Sequence, residues 1–167
     1  MKRSTYFSKI NGKLIGLHLV AGWFLMTGFY TLSFLTNIQF VEKFKTITPF
    51  SVEAWWGQAP NSFVSTIILS GFAGLIISFI ISLLICIQKK WFWLNAVIVL
   101  ILSLLLVKFY WILWNTVKPL AWFAGERFNN ISLEFLVNGI ILLAIGLFIF
   151  FSKWTNNFIQ KKQVKAF

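Results

Sequence analysis

Four long stretches without a charged side chain decide what this chain can fold into. They run from Leu14 to Val41, from Phe63 to Ile87, from Trp91 to Val107 and from Phe135 to Ser152. The third meets Lys108 and then continues uncharged to Val117. A helix rises about 1.5 Å per residue, so about 20 apolar residues cross a hydrocarbon layer about 30 Å thick. The stretches predict helices at 14–36, 62–87, 91–114 and 132–152. Composition agrees: 59% of the 167 residues are hydrophobic and 11% are charged, with a mean hydropathy of +0.82. The expectation is an all-α polytopic membrane protein, one domain built as a four-transmembrane-helix bundle.

The formal charge of +11 raises nucleic acid as a partner. The cations do not form a folded basic face, however. They sit in tails and short connections between apolar runs, as membrane topology demands, and nucleic acid is set aside. With four crossings both termini share a side. That side carries Lys2, Arg3, Lys9, Lys13, Lys89, Lys90, Lys153, Lys161, Lys162 and Lys165; the other carries Lys43, Lys45, Lys108, Lys118 and Arg127. Cytoplasmic loops hold the Lys/Arg excess, which predicts cytoplasmic N and C termini. The first apolar run is long for a secretory signal and no small-x-small cleavage pattern follows it, so it reads as a retained helix. Abundant Phe, Ile, Lys and Asn suit an AT-rich bacterial genome, and the expected location is the bacterial inner membrane.

Aromatic placement fits the same map. Trp91 and Trp93 open the third helix at the inner interface, and Tyr110, Trp111 and Trp114 close it at the outer one. The outer loops, 38–61 and 115–131, mix aromatic and charged residues, and Pro49 and Pro60 break the first of them. A short amphipathic piece lying on the outer surface is expected there. The inner connection of Gln88, Lys89 and Lys90 is so short that the second and third helices should be antiparallel neighbours. The basic tail 153–167, with Phe158, Ile159, Val164 and Phe167, is expected to lie on anionic headgroups.

The second helix has a pattern of its own. Ser62, Thr66, Ser70, Gly74, Ser78 and Ser82 recur at every fourth position. A four-residue step drifts by about 40° on a helix, so the whole series is too long for one straight face. Ser70, Gly71, Gly74, Ser78 and Ser82 form its tight part. In lipid no hydrophobic force drives helices together, and close packing plus hydrogen bonds must do so. These residues read as a helix-packing ridge, facing another helix of the chain or a second subunit. Their hydroxyls can instead bond back to the carbonyl four residues earlier and need no partner.

Groups able to do chemistry are scarce. The acids are Glu42, Glu53, Glu126 and Glu134; there is no Asp, one His (His18) and one Cys (Cys86). Thiol exchange needs a cysteine pair, and a closed zinc site needs about four N, S or O ligands. His18 and Met26 lie on one helix and cannot clamp both faces of a haem. No phosphate-binding glycine loop or nucleophile elbow occurs. This inventory points away from an enzyme and from any cofactor. His18, one turn inside the first helix, reads as an interfacial imidazole making a polar contact to headgroups or a neighbouring backbone. Cys86 reads as a small packing residue. The polar group of most interest is Lys108 with Glu134 and Asn138: Lys108 lies about 9 Å below Trp114 and Glu134 about 6 Å inside Asn130. Similar depths on oppositely running helices suit an intramembrane pair, although both side chains can also reach outward separately.

The sequence therefore predicts a non-enzymatic multi-pass membrane subunit or accessory protein. It would act through helix–helix and partner contacts, self-associating or joining another membrane protein in a larger complex. A small channel or transporter subunit with a polar path near Lys108, Glu134 and Asn138 is the alternative. A membrane effector or accessory of a bacterial defence or envelope system is the third.

Overall fold

The computed structural model describes residues 9–47, 59–116 and 130–160. Their regular structure is helical throughout: α1 (Gly12–Ser33), a 3-10 turn (Phe34–Asn37), α2 (Ile38–Ile47), α3 (Asn61–Gln88), α4 (Leu94–Thr116), α5 (Ile131–Phe151) and α6 (Lys153–Gln160). Three helical segments are long and apolar enough to cross a membrane: Gly12–Lys43, α3 and α5. The fourth apolar helix, α4, is shorter over the part whose side chains are described, Leu94–Val107. Most of both outer loops, at 48–58 and 117–129, and the tail beyond Gln160 lie outside the described residues.

The helix ends are set by local chemistry. Asn11 caps α1: its side-chain oxygen accepts from the Lys13 and Leu14 backbone N–H groups at 3.1 and 3.2 Å. The same Asn11 donates its own N–H to Asn95 Oδ1 at 2.9 Å, which ties the start of α1 to the start of α4. The Asn95 amide in turn donates to Phe92 O at 2.8 Å, so this residue, 1% exposed, serves both helices. At the other end of α3, Lys90 N–H donates to Ile87 O and Trp91 N–H to Cys86 O, at 3.1 and 2.8 Å. That crossed pair is a Schellman cap, and it puts Lys90 in the left-handed region at φ 55°. The turn joins α3 to α4 as packed neighbours.

Trp91 is drawn into the core by the same turn. It is 8% exposed, whereas Trp93 is 54% exposed. The sequence places both at the interface, and the cap divides them: the residue after a left-handed cap folds back on the last helical turn.

The first helix is the hub of the bundle. It packs against α3, α4 and α5, and among the described residues α4 and α5 are not a closely packed pair. Glycines permit the close approaches. A Cβ on Gly74 would lie 2.8 Å from Leu25 O and 2.8 Å from Met26 Cα, so α3 touches the α1 backbone itself there. On the other flank Gly146 meets Ala21 O, at 3.1 Å from where its Cβ would stand. Between them a core of Leu14, Ala21, Leu25, Ile85, Cys86, Trp91, Ala96, Phe150 and Ile159 fills one end of the bundle.

The opposite end is aromatic. Phe34 stacks on Phe135 with ring centroids 4.9 Å apart and meets Phe63 edge-on at 6.2 Å. Phe40 of α2 closes on Phe63 at 5.7 Å, and Val41 joins the cluster. This seats α2 across the start of α3, in the segment where the sequence predicts a short amphipathic piece.

Candidate functional site

A polar seam lies between α1, α3 and α4, inside an otherwise apolar bundle. His18 and Gly22 are one turn apart on α1, and Ser78 and Ser82 are one turn apart on α3. That shared spacing brings the two pairs face to face. His18 Nδ1 and Ser82 Oγ are 2.7 Å apart in a buried hydrogen bond. His18 is 1% exposed, and its ring meets Phe150 of α5 edge-on at 4.9 Å. The imidazole is therefore held by three helices, and the polar contact expected of it, to headgroups or a neighbouring backbone, is made to a serine hydroxyl of α3 instead.

Ser78 stands one turn along. Its Oγ occupies the space that a side chain on Gly22 would need, 2.7 Å from that ideal Cβ, and Ser103 Oγ of α4 lies 3.9 Å from the same point. Among the described residues Ser78 Oγ has no hydrogen-bond partner, although it is buried. Farther along α1 the hydroxyls turn back on their own helix: Thr27 donates to Trp23 O at 2.8 Å and Thr31 to Thr27 O at 2.7 Å. Such bonds satisfy a hydroxyl in lipid with no second helix involved.

The remaining ridge residues divide. Gly71 and Gly74 are buried and Ser70 is half-buried. Gly71 has room, since the nearest atom to an added Cβ is Met26 Cγ at 3.8 Å. The tight contact thus runs through Gly74, Ser78 and Ser82, and its other half is on α1. Gly22, Gly28 and Ala21 of α1, and Gly139 and Gly146 of α5, take part in the same close packing. Sequence reasoning missed these because their small residues do not recur at every fourth position, as those of α3 do. The seven-residue spacing of Gly139 and Gly146, two turns on one face, was the available signal.

Asn138 is buried, 5% exposed, on the same face of α5 as Glu134, which lies in the first turn and is half-buried. Lys108 belongs to α4, but its side chain is outside the described residues, so its pairing with Glu134 is not placed. Cys86 is a buried free thiol. Among the described residues no three His, Cys, Asp or Glu side chains gather closely enough to hold a metal ion.

The chain matches no protein-family profile, no curated protein and no solved structure. Its class therefore rests on its own architecture: a helical protein whose long apolar segments are those of a membrane-embedded chain. What distinguishes this one is a first helix on which the others converge through glycine contacts and one buried imidazole–hydroxyl bond.

Proposed function

We propose that this is a non-enzymatic multi-pass protein of a bacterial cytoplasmic membrane, crossing four times with both termini inside. It acts by contact, as a self-associating subunit or an accessory of a larger membrane complex. The observation that carries the reading is the open face of α1. Among the described residues Gly12 and Gly16 have no neighbour within 4 Å of an added Cβ, and Val20, one turn further, is 46% exposed. Gly-x-x-x-Gly is the spacing that lets two membrane helices approach backbone to backbone, and here it occupies the first turns of α1, around Lys13. Gly74 of α3 and Gly139 and Gly146 of α5 are already packed on α1, whereas this strip of α1 faces none of the described residues. The scarcity of reactive groups supports the non-catalytic half of the reading: the sequence holds one His, one Cys and no Asp.

Purification from native membranes in mild detergent tests it. The wild-type chain is expected to elute larger than one protomer, alone or with co-purifying chains. Gly16→Leu should elute as a single chain, because the added side chain fills the strip without touching the bundle. A wild-type protein that elutes as one chain with no companion overturns the proposal.

A further inference from the structure

One end of the bundle concentrates positive charge beside exposed aromatic rings. Lys9, Lys13, Lys89, Lys90 and Lys153 are gathered there by the Asn11–Asn95 bond, the α3 cap and α6. Residues 1–41, 54–125 and 135–167 contain no acid, so the cations of this end have no countercharge within their own segments. Lys2, Arg3, Lys161, Lys162 and Lys165 adjoin them in the chain.

The sixth helix adds the apolar component. Ser152 breaks the path of α5 with an extended backbone, ψ 132°, and its Oγ accepts from Trp154 N at 3.1 Å. The chain then folds back so that Thr155 and Ile159 are buried against the bundle, Ile159 in the same core as Leu14 and Phe150. Trp154 and Phe158 are left outside, 69% and 39% exposed, with their rings stacked at 5.8 Å. Lys13 of α1 reaches across so that its Nζ lies 4.0 Å from the centre of the Phe158 ring.

We propose that Lys13 and Lys153, around the Trp154–Phe158 pair, form a binding site for the headgroup of an anionic phospholipid. An amphiphile with a negative head above apolar chains matches both parts of the surface. Indole and phenyl rings settle where hydrocarbon meets headgroup, and lysines just beyond them attract anionic lipid. The contact with Phe158 holds the Lys13 ammonium at that boundary. A free phosphate would meet the lysines and leave both rings in water. The inference needs only membrane embedding and is independent of the contact role of α1, so either can fail alone.

The full-length protein in detergent micelles is offered equal amounts of phosphatidylglycerol and phosphatidylcholine, and retained lipid is counted by native mass spectrometry. Phosphatidylglycerol is expected in excess. Lys13→Gln and Lys153→Gln should each reduce that excess about fivefold, and Trp154→Ala, at an exposed position, should reduce it as well. Lys43→Gln at the opposite end should leave it unchanged, and millimolar inorganic phosphate should not displace the lipid. Equal retention of the two lipids overturns the proposal. So does an undiminished excess in Lys13→Gln/Lys153→Gln, or displacement by phosphate.

Discussion

At Gly74 an added methyl group would have to displace backbone. Leu25 O and Met26 Cα both stand 2.8 Å from its position, and neither can rotate away. Gly71, three residues earlier on the same helix, has only Met26 Cγ nearby, at an ordinary contact distance of 3.8 Å. Gly74→Ala should therefore destabilise the bundle by about 1–3 kcal/mol through overpacking. Gly71→Ala should be neutral or stabilising by up to roughly 1 kcal/mol, because alanine is the better helix former. Thermal unfolding in detergent, followed by reaction of a thiol dye with the buried Cys86, separates the two; equal losses in both variants would refute the assignment. The sequence pattern names both glycines and cannot rank them, since the ranking depends on which residue of α1 lies opposite. His18 carries the same lesson. Its distance from the helix end suggests headgroups or a neighbouring backbone, yet the hydroxyl of Ser82, 64 residues away, supplies the partner. No local pattern contains that information.

Lys90 shows what an element asks of one position. The cap of α3 requires a left-handed residue, and a side chain there costs about 1–2 kcal/mol relative to the ordinary helical region. Lys90→Gly should keep the turn and raise stability by about 0.5–1 kcal/mol, once the extra freedom of glycine in the unfolded chain is included. Unfolding midpoints of the two proteins give the answer, and a drop in the variant would mean that the lysine side chain holds the turn. Element positions are the part of the fold most legible in the sequence. Uncharged runs locate α1, α3, α4 and α5 to within about three residues. Facing directions are not legible, because helices apolar on all sides present no contrasting stripe. The sixth helix is hidden for another reason: Lys153, Asn156 and Asn157 give its segment the composition of a tail, and its order comes from Ile159 inserting into the core.

For the molecule as a whole, burial and charge assign opposite roles to the two ends. The end holding Asn11, Trp91 and Ile159 is basic, and the end holding Phe34, Phe63 and Phe135 is aromatic. The proposed topology places the basic end in the cytoplasm. In a Cys86→Ala background, Lys9→Cys and Asn157→Cys should be shielded from an impermeant maleimide in intact cells and react after permeabilisation, while Gln39→Cys should react before it. Labelling of Lys9→Cys and Asn157→Cys from opposite sides would exclude four crossings.

The hub position of α1 also bears on biosynthesis. Ribosomes deliver this helix before α3, and the serine that completes its imidazole contact follows 64 residues behind. At about 5–20 residues per second that interval is roughly 3–13 s. Throughout it, a nascent segment bearing an unmatched ring nitrogen must wait beside the translocon or in lipid, until the second hairpin arm arrives to release it.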